Sequence, residues 1–193
     1  TILNQDLAAI HDADDPIGNL IEKLRASRGD LRLHAEDFKG ASKGARFYPM
    51  IYMMTRVAGA RDWRTGLELR KFLLGSGSDL QLHHIFPKSK LYEHGYERSE
   101  VNALANFTFL TAETNLYFSD RDPEEYLPEV ERTCPGALDS HWIPRDRDLW
   151  RYDRYRDFLE ARRQKLADAA NQFLDGLLSE SAATEEAEAP ATT

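Results

Sequence analysis

The chain has 193 residues, 41% of them hydrophobic, which suits one compact domain or a domain with a helical appendage. Its formal net charge of -8 provides no whole-molecule attraction to nucleic acid, and no stretch approaches the ~18 apolar residues of a membrane span. The single cysteine, Cys134, excludes internal disulfides and cysteine-rich zinc sites and fits a cytoplasmic location, so any metal must be held by His, Asn, Asp or Glu.

The charge is unevenly spread. From Lys39 to Lys71 eight basic residues face only Asp62 and Glu68, a local balance of +6, and from Arg145 to Lys165 eight basic residues face five acids. Phosphate-binding surfaces are therefore compatible with an acidic protein, although each stretch also reads as an ordinary solvated helix face. The chain opens at Thr1 without the basic-then-apolar pattern of a signal peptide and closes on a low-complexity acidic run from Ser179 to Thr193. The expectation is a C-terminal piece of a longer protein ending in a disordered tail.

In chain order, Ile17, Leu20, Ile21 and Leu24 follow the start signal Asp14-Asp15-Pro16 at helical spacing, and a second helix is expected from Tyr48 to Ala60. Between them, FKGASKG (Phe38 to Gly44) lacks the spacing of a P-loop and reads as an ordinary loop. Gly75-Ser76-Gly77-Ser78 is the clearest break. It divides the chain into a helical subdomain or connector (1–74), a core (75–178) and the tail (179–193).

After the break Leu80, Leu82, Ile85 and Phe86 suggest a short strand stopped by Pro87, followed by a brief helix around Ser89 to His94. A second strand is expected at Asn106 to Leu110 and a helix from about Thr111, with further start signals at Pro123-Glu124-Glu125. Tyr152, Tyr155, Phe158, Leu159, Arg162, Leu166, Ala169, Phe173 and Leu177 mark one face of a long terminal helix. The fold class is α+β, mostly helical, with a strand, loop, strand, helix order at its centre.

The chemistry concentrates between His83 and Asn115. Leu82 to Pro87 reads LHHIFP, and two adjacent imidazoles offer a neutral metal ligand and a group that takes a proton from water near neutral pH. Downstream, Asn102, Asn106 and Asn115 fall within fourteen residues, and their amides can brace a loop or offer an oxygen to a hard cation. Neighbouring strand residues point to opposite faces, so the strand has to end or twist at the histidine pair if both serve one site.

His-His-Ile-Phe-Pro, then Asn106, then Asn115 with Ser119 four residues on, resembles the ββα-metal motif of HNH endonucleases. The fuller pattern adds Pro123-x-x-Tyr126 and a terminal Phe158-Leu159-x-x-Arg162 helix. It is similar to the C-terminal HNH domain of GmrSD-type modification-dependent restriction enzymes and of phosphorothioate-sensing Ssp-type phage-defence proteins, over about Leu80 to Leu178. The resemblance implies that His84 is the general base, that His83 and Asn115 ligate a divalent ion, Mg²⁺ or Mn²⁺, and that Asn106 fastens the loop that orients His84. In such enzymes the position of His83 is often Asp. Lys88, Ser119 and Tyr126 are implied as substrate contacts, each with a packing or surface role as the alternative.

The function implied is metal-dependent nicking of DNA by the effector part of a restriction or anti-phage protein, whose sensor or NTPase domain would lie outside this chain. Two alternatives stay open. One is the same site directed at RNA or non-specific DNA, as in toxin nucleases; the other is a non-catalytic nucleic-acid-binding module with structural histidines.

Overall fold

The computed structural model describes residues 2–11, 14–29, 32–40, 47–72 and 80–188. They fall into two compact units, Thr1–Leu33 and His34–Thr193. The Gly75–Ser78 break and residues 41–44 of the FKGASKG loop lie outside the described residues. The division falls at Leu33 and not near the glycine-serine break, because residues in the stretch from Phe47 to Leu69 are built into the core of the larger unit.

The first unit pairs helix α1 (Ile2–Ile10) with α2 (Pro16–Arg28). Pro16 sits in the first turn of α2, where its missing N–H costs nothing, and Asp15 Oδ1 accepts from Gly18 N at 2.8 Å. Lys23 Nζ, 2.6 Å from Asp6 Oδ1, and Asn19 Nδ2, 3.2 Å from Ala9 O, tie the two helices together.

The second unit is mostly helical with a small antiparallel sheet. Helix α3 (Phe47–Val57) buries Ile51, Met54, Thr55 and Arg56, and it ends before the left-handed Gly59 at φ 69°, short of the expected Ala60. A tight loop follows, in which Asp62 N donates to Leu67 O at 2.9 Å.

Strand β1 (Gln81–His84) leads into helix α4 (Lys88–Glu93) and the single turn α5 (Arg98–Val101), and strand β2 (Phe107–Leu110) returns to pair with β1. The register sets His83 opposite Thr108 and His84 opposite Phe107. β1 is shorter than the apolar pattern suggested. Ile85 N and Phe86 N are captured by Asn106, through its carbonyl at 2.9 Å and its Oδ1 at 2.8 Å, and the chain turns there.

Helix α6 (Ala112–Phe118), with Thr111 as its N-cap, completes the strand, loop, strand, helix order. Helix α7 (Pro123–Thr133), the turn α8 (Ala137–Ser140) and the long helix α9 (Tyr155–Glu188) then wrap the sheet. The expected face of α9 is buried at Tyr155, Phe158, Leu159, Arg162 and Leu166, and fades through half-buried Phe173 to exposed Leu177. The acidic stretch from Ser179, expected as a disordered tail, continues this helix as far as Glu188, in keeping with its Ala and Glu content; residues 189–193 lie outside the described set. No described helix is long and apolar enough to cross a membrane.

Two buried polar groups fix the sheet. Arg162 donates from Nη1 to Ala105 O at 2.7 Å and from Nη2 to His141 O at 3.2 Å, and burial lowers its pKa to about 9. It thereby pins α9 to the residue before Asn106.

His141 is fully buried, with Nε2 3.0 Å from Arg61 O and Nδ1 2.6 Å from Thr108 Oγ1. Nε2 therefore carries the proton, and Nδ1 accepts from the threonine hydroxyl. Burial lowers the His141 pKa from 6.5 to about 3. Between those values the unfolded chain binds the proton and the folded one does not, so this contribution to stability is full above the unfolded pKa and is lost as pH falls. Urea unfolding is expected to show His141 alone costing about 2 kcal/mol by pH 5, at about 1.4 kcal/mol per pH unit. His141→Gln should flatten that decline; a wild-type stability constant from pH 7 to pH 5 would contradict it.

Candidate functional site

The site is built on the seam between β1 and α6, and its hidden foundation is Asp62. This fully buried carboxylate accepts from Thr65 N and Arg64 N at 3.1 Å, from Thr114 Oγ1 at 2.6 Å and from Thr111 Oγ1 at 2.8 Å. Burial pushes its pKa up, but those hydrogen bonds outweigh the burial and hold it below the ordinary value. Asp62 thus clamps the first turn of α6 and fixes where Asn115 stands. Sequence reasoning counted Asp62 only as a charge. The Asp-x-x-Thr-Gly pattern marks a local turn, but nothing local announces partners 49 and 52 residues away.

His83 and His84 diverge as a strand demands. His83 points inward, 2% exposed, among the rings of Trp63, Tyr126 and Phe118 at 5.7, 6.0 and 6.5 Å. Its Nδ1 lies 2.9 Å from Asn115 Oδ1, and Asn115 Nδ2 donates to Gln81 Oε1 at 3.0 Å. Burial lowers the His83 pKa to about 4, although the Asn115 hydrogen bond opposes it, so the ring is neutral at neutral pH. His83 Nε2 and Trp63 Nε1 are both buried without a hydrogen-bond partner among the described residues.

His84 is half-buried on the other face, its ring 4.7 Å from Phe107, with Nε2 shielded from solvent. An open cleft of about 400 Å³ is lined by His84, Lys88, Asn115, Ser119 and Asp120, among others. Four of the residues singled out from sequence therefore line one concavity. His83 stands behind Asn115 and not in the cleft wall.

Lys88 is exposed there and makes no ion pair among the described residues. Asn106 lies outside the cleft, fully buried, and also donates from Nδ2 to Phe86 O at 3.0 Å and Val101 O at 3.2 Å. It is a positioning residue that locks the turn after His84. Asn102 caps α5 through Arg98 O at 2.8 Å and takes no part in the cleft.

Tyr126 is the clear correction. Expected at the substrate, it is 1% exposed, and its hydroxyl donates to Ile85 O at 2.7 Å. It braces the turn after His84 and walls the His83 ring, and nothing in solution can touch it. The helical spacing after Pro123 shows a face but not which way it points.

Ser119 closes α6 at φ 43° and ψ -110°, and Arg121 N donates to Phe118 O at 2.9 Å across the turn. That conformation favours glycine, so Ser119→Gly should stabilise the fold by about 0.5–1 kcal/mol in urea unfolding. A loss of stability would contradict the strain.

The second basic stretch is largely compensated, whereas in the first Lys39 and Arg64 are the residues with ion pairs among the described residues. Arg64 pairs with Glu113, Arg145 and Arg147 with Glu131, Arg151 with Asp153, Arg154 with Asp157 and Arg156 with Glu100, while Arg56 and Arg162 are buried. Charge runs in sequence do not reveal this pairing.

The site also bears on a divalent ion. Among the described residues no group of three or more His, Cys, Asp or Glu forms a metal cluster. Nδ1 of His83 donates to Asn115 Oδ1, and with the ring proton moved to Nε2 the two atoms would fit as a ligand pair: 2.9 Å is the separation of two adjacent ligands on an octahedral ion with bonds of about 2.1 Å. The imidazole is neutral, as ligation requires. Compared with protein-family models, curated proteins and solved structures, the chain matches none.

Proposed function

We propose that the chain is a metal-dependent endonuclease domain of the HNH type that nicks DNA. The observation carrying this reading is the 2.9 Å approach of His83 Nδ1 to Asn115 Oδ1, from residues 32 apart in sequence, just behind the cleft that Asn115 and His84 line. A divalent ion held by His83 and Asn115 would offset the phosphate charge and stabilise the departing 3′ oxygen.

The chain's own residues account for the rest. His84 takes a proton from the attacking water as the oxygen bonds to phosphorus and the P–O3′ bond breaks, leaving a 5′-phosphate and a 3′ oxyanion that takes a proton from solvent to become the 3′-hydroxyl. Lys88 sits at the cleft as the cation for a phosphate oxygen. Asn106 and Tyr126 hold the backbone of residues 85 and 86, which keeps His84 from drifting.

With the cations from Arg145 to Arg156 paired to acids, affinity for the DNA backbone is low and sequence preference is slight, and target recognition belongs to another domain of the same protein. Relaxation of supercoiled plasmid by the purified chain with Mn²⁺ or Mg²⁺, abolished by chelation, tests the reading; structured RNA in parallel separates DNA from RNA. A plasmid left intact at every ion and enzyme concentration would overturn it.

A further inference from the structure

We infer that the donor pair selects a nitrogen-seeking transition ion over Mg²⁺, and that His83 sets this selectivity. The inference rests on the proposed site and goes beyond it by naming the class of ion. His83 brings an imidazole nitrogen and Asn115 an amide oxygen, so the pair supplies no negative charge. Mg²⁺ binds weakly to such a pair, because it keeps its water shell unless carboxylates or phosphates displace part of it. Imidazole suits first-row transition ions, whose affinity for a nitrogen–oxygen site rises from Mn²⁺ through Co²⁺ to Ni²⁺.

The surroundings reinforce the choice. The ring of His83 is walled by Trp63, Tyr126 and Phe118, apolar rings that add no negative charge to the pair. Asp120 lines the cleft, but it joins no cluster of three metal-binding side chains with the histidines. The ring is also held in place by packing and not by a hydrogen bond at Nε2, which is buried and unpartnered. A nitrogen donor buried among aromatic rings cannot swing away to let a hard, hydrated ion make its contacts through water.

The test is isothermal titration of the full chain with MgCl₂, MnCl₂, CoCl₂ and NiCl₂ separately, with the Asn115→Ala variant supplying the background from surface histidines. The expected order is Ni²⁺ tightest and Mg²⁺ weakest, with Co²⁺ at least about 100-fold tighter than Mg²⁺. Asn115→Asp should add charge at an accessible position and raise Mg²⁺ affinity about tenfold, with circular dichroism confirming the fold.

Because His83→Asp puts a carboxylate in an aromatic box and can fail to fold, the role of His83 is read instead in the wild-type chain. Electron spin-echo spectroscopy of bound Mn²⁺ should show the modulation of a directly ligated imidazole nitrogen, absent in Asn115→Ala. Mg²⁺ binding within threefold of Co²⁺, or bound Mn²⁺ without that nitrogen signal, would overturn the inference. Plasmid nicking on the same samples keeps the two readings apart. Nicking with Mg²⁺ binding as tight as Co²⁺ sinks the selectivity alone, whereas the expected binding order with no nicking by any ion sinks the nuclease and leaves the metal site.

Discussion

Replacing His84 with alanine is expected to slow plasmid nicking by about 10²–10⁴-fold while leaving the fold intact, which is the range over which a positioned general base acts. The ring is half-buried and rests edge-on against Phe107, so its loss costs about 1 kcal/mol of stability, small beside the kinetic effect. His84→Gln preserves more of the packing and should be equally inactive, since an amide does not take up a proton. Single-turnover nicking at saturating metal, with urea unfolding on the same preparations, makes the comparison. Full activity in either variant would remove His84 from the reaction and favour the reading in which the histidines are structural.

The second large effect is expected far from the cleft. Asp62→Ala removes an acceptor from the hydroxyls of Thr65, Thr111 and Thr114 and from the backbone N–H of Arg64 and Thr65. Buried donors left without a partner cost the full desolvation penalty, so a loss on the order of 3–5 kcal/mol is expected in urea unfolding. Since Asp62 anchors the turn of α6 just ahead of Asn115, metal affinity should also fall at urea-free, fully folded conditions. Asp62→Asn is nearly isosteric but turns one acceptor into a donor facing donors, and should lie between the two. A cost below about 1 kcal/mol for Asp62→Ala would show that the network contributes little to the fold.

The two predictions differ in how far the sequence leads to them. His84 stands out because chemistry-bearing residues cluster in LHHIFP, and its placement follows from a strand that Pro87 and Asn106 bring to an end. Asp62 carries as much of the architecture and leaves no comparable trace. Tyr126 shows the same limit from the other side: a tyrosine near an expected site is easily taken as a contact, and only the core reveals that it faces inward.

The sequence by itself determined the local grammar of this protein: the strand, loop, strand, helix order around the histidines, the Thr111 cap, the Pro16 start and the buried stripe along α9. These follow from side-chain periodicity and from backbone groups that must be satisfied within a few residues, both readable along the chain. Only the tertiary structure decided that residues 47–72 belong with the core, that Asp62 holds α6, that five arginines between Arg145 and Arg156 pair with acids, and that His83 meets Asn115 while His84 faces the other way. The reason is that burial and pairing are properties of contacts between segments dozens of residues apart, and those contacts are chosen by packing, which no local pattern encodes.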